Sequence, residues 1–198
     1  MERTRLNKQE LIDFETEIKD LFLAAKIRAP IHLSGGNEDQ LIKIFQDIKP
    51  EDWVFSTHRS HYHALLKGIS PVWLREEILG GRSISIHNTE YKFFSSAIVG
   101  GIMPIALGVA MGIKMKQEHN RVWVFVGDMA AETGVFNETT KYAERNSLPM
   151  SFIIEDNLYS VNTRTLDVWG LGPSNKDIKR YIYIRLHPHV GVGKFVEF

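Results

Sequence analysis

The chain has 198 residues, 43% of them hydrophobic, which is enough for one domain with a buried core over 1–198. Its 24 basic and 24 acidic residues cancel, which removes the electrostatic case for nucleic acid or an anionic membrane as partner. There is no cysteine, so disulfides, thiolate zinc sites and a cysteine nucleophile are excluded and a reducing, cytoplasmic setting is expected.

The opening MERTRLNKQE has no apolar signal core. From Asn7 to Lys26 the spacing predicts an amphipathic helix, with Leu11, Phe14, Ile18, Leu21, Phe22 and Ala25 three or four residues apart. Asn7 and Glu10 are spaced for a capping box. Residues 37–48 predict a second helix with Leu41, Ile44, Phe45 and Ile48 on one face. Short helices follow at 61–67 and 71–79, the latter opened by Pro71. Residues 80–96 show no period and read as a loop over a site. Ala97 to Ile113 is uncharged for 17 residues but contains Pro104 and four glycines. A membrane span needs about 20 apolar residues, so this stretch reads as a loop entering a buried helix that ends near Lys116. Arg121–Val126 and Met150–Ile154 are apolar strands. Between them, residues 133–146 form a helix with Val135, Phe136, Thr139 and Ala143 inward. Unbroken apolar strands joined by a helix predict an α/β fold: a parallel sheet with helices on both faces, preceded by a helical segment. Residues 164–179 read as loop and Tyr181–Arg185 as a last strand.

The stretch VFVGDMAAETGVF puts a carboxylate, Asp128, where a strand breaks at Gly127 before a helix. Helix N-termini there usually face a phosphate. Asn157 stands 29 residues on, just past the next strand. In parallel sheets, ligands bind at the carboxyl ends of strands. A carboxylate and an amide carbonyl are hard oxygen ligands suited to Mg²⁺, which typically keeps few protein ligands plus substrate phosphates. Asp128 then holds a metal that bridges to the phosphate. Taken singly, Asp128 also reads as a helix cap and Asn157 as a turn residue.

The segment GDMAAETGVFNETTKYAERNSLPMSFIIEDNLYSVNT, 127–163, resembles the thiamine diphosphate signature. In particular it resembles the alpha subunit of the decarboxylating component of 2-oxo acid dehydrogenases, such as those acting on pyruvate, branched-chain oxo acids and acetoin. THRSHYHALLKGIS, 57–70, and SAIVGGIMPIALGVAMG, 96–112, resemble two further blocks of that family, in the same order. The resemblance implies a thiamine diphosphate-binding fold in which Asp128, Asn157 and the carbonyl of Tyr159 ligate Mg²⁺. It implies that Gly127, Met129 and Ala130 offer backbone near the diphosphate, that Arg59 and His58 reach it, and that Ala97 and Val99 line the aminopyrimidine. His189, in RLHPHVGVG, matches a family histidine close to the cofactor. His187 and His189 flank Pro188, and one of the two is expected to face the site.

The implied activity is decarboxylation of a small 2-oxo acid and transfer of the resulting aldehyde or acyl unit. The cofactor acts as electron sink. Its activating glutamate comes from a beta-type partner, in an α2β2 assembly or a self-dimer. His61 and His63 are candidate general acid–base groups, and equally read as packed, hydrogen-bonded residues. The run HRSHYH does not put its histidines on one helix face, so it does not read as zinc. The sequence departs from the family pattern at Met129 (Gly), at Asp156 (the first Asn of the motif) and at His58 (Tyr), and the segment from Thr163 to Tyr181 is abbreviated. Met129 and the abbreviated segment support an alternative: a degenerate assembly or regulatory subunit that does not catalyse. A nucleotide-binding module lacks its GxGxxG or lysine-bearing loop here.

Overall fold

A computed structural model describes residues 6–170 and 178–197. Helix α1 (Lys8–Leu23) is opened by the expected box: the Glu10 amide donates to Asn7 Oδ1 at 3.0 Å and the Asn7 amide to Glu10 Oε2 at 2.7 Å. It stops three residues short of Lys26, where Ala25 turns left-handed. Then come α2 (Glu38–Phe45), strand β1 (Trp53–Ser56), α3 (His61–Lys67) and α4 (Pro71–Leu79). Strands β2 (His87–Asn88) and β3 (Phe93–Ser95) precede α5 (Ile102–Met115). The second half runs β4 (Val122–Gly127), α6 (Asp128–Ala131), α7 (Gly134–Arg145) and β5 (Met150–Asp156). It closes with a hairpin of β6 (Tyr159–Ser160) and β7 (Thr163–Arg164), helix α8 (Thr165–Trp169) and β8 (Lys179–Ile182). No helix among the described residues is long and apolar enough to cross a membrane.

Six strands form one sheet in the order β2-β3-β1-β4-β5-β8, parallel throughout except at the β2–β3 edge. Alternation along the strands divides the core in two. Val54, Phe93, Phe125 and Ile153 face α1–α4. Phe55, Val122, Val124, Val126 and Ile154 face α5 and α7. Helices therefore cover both faces, as expected of apolar parallel strands.

Three expectations need correction. Residues 80–96 are not all loop, because β2 and β3 lie within them and complete the sheet edge. The last strand is Lys179–Ile182, not Tyr181–Arg185. Its partner β5 ends at Asp156, opposite Ile182, so after the Tyr183 amide, which donates to the Asp156 carbonyl at 2.9 Å, the alternating residues have no ladder to join. The expected loop at 164–179 holds the short helix α8 and the start of β8, while its 171–177 part lies outside the described residues.

Candidate functional site

The parallel strands β1, β3, β4 and β5 deliver their carboxyl ends to one cleft. After β1 come Thr57, His58 and Arg59; after β3 come Ser96, Ala97, Ile98, Val99 and Gly100. Gly127, Asp128, Met129 and Ala130 follow β4, and Asn157, Tyr159, Ser160 and Val161 follow β5, with Tyr183 and His189 closing the far side. The three motif blocks, far apart in the chain, thus share one wall.

Gly100 lets the 96–101 loop turn with φ of +79°, and a Cβ there would lie 2.8 Å from Val135 Cγ1. Space above Gly127 is open within 4 Å. Met129 sits in the short helix α6 and is absent from the left-handed residues, so its backbone needs no glycine. Leu158 (φ 64°) and Val161 (φ 55°) are left-handed, and they bend the β6–β7 hairpin across the cleft.

Asp128 is 2% exposed. Thr165 Oγ1 donates to its Oδ2 at 2.5 Å. Burial, and the charge of nearby Asp156, push its carboxyl up to about 6. Asp156 has a cation of its own, since Arg180 donates to it from Nε at 2.9 Å and Nη2 at 2.6 Å. Among the described residues Asp128 gains no such cation; a hydroxyl and the Met129 backbone are its favourable partners. Asn157 stands opposite. Its Oδ1 accepts the Tyr159 amide at 3.0 Å, and its Nδ2 reaches the Tyr183 hydroxyl at 3.5 Å. Burial raises Tyr183 to about 12, so the phenol stays protonated.

Arg59 is 8% exposed and donates to the carbonyls of Leu33 (2.5 Å) and His189 (3.3 Å). His58 packs edge-on to His32, with centroids 4.3 Å apart. Burial holds His58 down at about 3 and His32 at about 4, and lowers His189 as well. All three rings are therefore neutral near pH 7.

His61 and His63 lie behind the cleft. His61 is fully buried, with Nδ1 3.0 Å from Glu15 Oε1 and Nε2 3.0 Å from Ser83 Oγ. His63 Nε2 lies 3.2 Å from Glu155 Oε1 without making a hydrogen bond, and its ring packs on Phe125 at 4.5 Å. His58, His61 and His63 thus face three different surroundings. His189 faces the cleft and the His187 ring packs over Gly35. Sequence reasoning missed four residues here. Thr165 and His32 carry no motif, Tyr183 falls inside an expected strand, and Glu155 immediately precedes the motif positions Asp156 and Asn157 without a signal of its own. Glu155 accepts from the Tyr181 hydroxyl and, at 3.2 Å, from Asn37 Nδ2.

A model of the dehydrogenase E1 component family matches residues 7–167. Similar relatives include the alpha subunits of acetoin:2,6-dichlorophenolindophenol oxidoreductase from Cupriavidus necator and Bacillus subtilis. The first is 30% identical over 161 residues, 76% of this chain and 48% of the relative. The second is 30% identical over 164 residues, 78% of this chain and 49% of the relative. The alpha subunit of the pyruvate dehydrogenase E1 component from Rickettsia conorii is 31% identical over 160 residues, again 76% and 49%. The chain spans about half the length of these curated relatives. The matched region contains β1 to β7, with the cleft residues 57–59, 96–100, 127–130, 155, 157 and 159–161, and the chain belongs to the dehydrogenase E1 component family.

Proposed function

We propose that the chain is the cofactor-binding, alpha-type half of a thiamine diphosphate- and Mg²⁺-dependent enzyme. That enzyme decarboxylates a small 2-oxo acid and transfers the resulting aldehyde or acyl unit, in the cytoplasm. The observation that carries the reading is Asp128: a buried carboxylate with, among the described residues, no cation of its own, at the end of β4 and beside β5, which Asn157 follows. An uncompensated buried carboxylate is costly and invites a cation. Hard oxygens from Asp128, Asn157 and the Tyr159 carbonyl suit Mg²⁺.

When bound, the cofactor supplies the electron sink for decarboxylation. The chain's own residues bind and orient. Arg59 offers a largely buried guanidinium to a diphosphate oxygen, a geometry that favours Arg over Lys. His58, Gly127, Met129 and Ala130 line the same end, and Ala97 and Val99 the other. His189, neutral and half-buried at the cleft wall, is placed to hold or release a proton. His61 and His63 support this wall from behind rather than touch a ligand. A beta-type partner would complete the site with its glutamate, in an α2β2 assembly. Ile98 and Val99, 73% and 71% exposed beside the cleft, suit burial in such an interface.

The test is a calorimetric titration of thiamine diphosphate into the chain, with Mg²⁺ and with a chelator. Binding that requires Mg²⁺ and is lost in Asp128→Asn is expected. Equal binding in both conditions overturns the metal bridge. No binding even with a beta-type partner present favours the non-catalytic assembly subunit.

A further inference from the structure

We infer that His32, His58 and His189 form a site for a transition-metal ion of the zinc class, with its fourth position open to the cleft. One ring nitrogen from each histidine lies within 4.8 Å of the other two. They come from widely separated places: the loop after α1, the end of β1, and the C-terminal segment. Their centroids are 4.3, 4.8 and 5.5 Å apart, and the planes cross at 64°, 76° and 67°. Such edge-on rings can aim their nitrogens at one point, whereas stacked rings cannot.

His32 is 9% exposed, and its Nδ1 lies 2.5 Å from the His189 carbonyl oxygen. A carbonyl only accepts, so Nδ1 carries the proton and Nε2 of the neutral ring keeps a lone pair. A ring N–H tied to a backbone carbonyl is the usual outer support of a metal-bound histidine. His32 is held below its ordinary range, as are His58 and His189, so no proton competes for the lone pairs at pH 7.

With Zn–N bonds of about 2.0–2.1 Å, tetrahedral ligand nitrogens stand about 3.4 Å apart. The present cluster needs a closure of about 1–1.5 Å by that geometry, which rotation of the half-buried His58 and His189 rings can supply. Arg59, bonded to the same His189 carbonyl, raises the cost of a dication. The fourth ligand is therefore anionic: hydroxide, a carboxylate or a phosphate oxygen. His58 and His189 also line the cleft, so the metal draws both rings toward His32 and its binding is linked to whatever the cleft holds. The third ligand exists because residue 58 is His rather than the Tyr of the family pattern.

The experiment is a Co²⁺ titration of the chelator-treated full chain, free of Mg²⁺ and thiamine diphosphate, followed by visible absorption and then by Zn²⁺ displacement. One equivalent of Co²⁺ with the strong d–d bands of a four-coordinate ion is expected, released by Zn²⁺. His58→Tyr and His32→Gln should each weaken binding at least about tenfold, as loss of a metal-supporting group does. His119→Gln, at an exposed histidine elsewhere, should leave it unchanged. Circular dichroism checks folding, and if His32→Gln unfolds, His58→Tyr carries the comparison alone. No Co²⁺ bands in the wild type, or equal binding by His58→Tyr, overturns the site. Loss of binding in His119→Gln overturns it too, by moving the metal to the surface. These readouts contain neither Mg²⁺ nor cofactor, so failure here leaves the proposed function standing.

Discussion

Two buried acids, Glu15 and Asp128, are nearly equally hidden, at 1% and 2% exposure, yet they sit in opposite kinds of place. Glu15, on α1, faces α3 and is fully engaged: it accepts the Ser34 amide at 2.8 Å and His61 Nδ1 at 3.0 Å, with Ser83 completing the chain of bonds. Asp128 lies at the strand ends, next to a second carboxylate and, among the described residues, without a cation of its own. Glu15, His61 and Ser83 have the order of a catalytic triad, but they are sealed in the packed helical layer and serve it. Burial alone therefore does not mark a functional group. What separates the two acids is whether the protein has already met their bonding needs.

Breaking each acid should give opposite results. The largest effect is expected for Glu15→Ala, which orphans a buried amide and a buried imidazole N–H. Urea unfolding should show a loss of about 3–5 kcal/mol, with any Mg²⁺ response of the remaining folded protein intact. Next is Asp128→Asn. Removing an uncompensated charge should raise the stability of Mg²⁺-free protein at pH 7.5 by about 1–2 kcal/mol, a shift of several degrees in Tm. It should also abolish stabilisation by Mg²⁺ with thiamine diphosphate.

The pH dependence should follow the same carboxyl. Its folded pKa of about 6 lies above the unfolded value of about 4. The folded state then binds more protons between those values, so Mg²⁺-free stability should fall as pH rises from about 4 to 6. Mg²⁺ needs the ionised form, so its affinity should weaken as pH drops below about 6. Thermal melts across that range, with and without Mg²⁺, should diverge in slope. Arg59→Lys should cost about tenfold in cofactor affinity by calorimetry, since a point charge replaces a two-pronged donor. The smallest effect is expected at Met129→Gly. The backbone there is already helical, so cofactor affinity should move by no more than about threefold and stability should fall by about 0.5–1 kcal/mol.

Much of this contrast was legible in the sequence, because its signals are local. The Asn7–Glu10 box, the apolar strands around 121–126 and 150–154, and the Asp128–Asn157 spacing need only neighbours to be recognised. What was not legible is fixed by contacts across the chain. β1 is four residues long and β2 and β3 two and three, too short for a period to show, and they exist because β4 offers an edge. The register of β8 is set by the Asp156–Arg180 pair and by where β5 stops, not by the alternation of YIYIR. The contact of His32 with His189 spans 157 positions, and Thr165 meets Asp128 only once the β6–β7 hairpin has folded back. His61 looked like chemistry because of its motif, and its role is decided by Glu15 and Ser83, which the motif does not contain.

That hairpin has a consequence for anyone who tries to improve the protein. Leu158 and Val161 hold left-handed backbone that costs a side-chain-bearing residue about 1 kcal/mol or more each, and Val is among the least suited. Glycine or asparagine at either place relieves that cost. A screen for heat resistance in the absence of ligand would therefore gather substitutions there, and each would loosen the turn that carries Tyr159 over the cleft. Selection for endurance and selection for occupancy pull this loop in contrary directions.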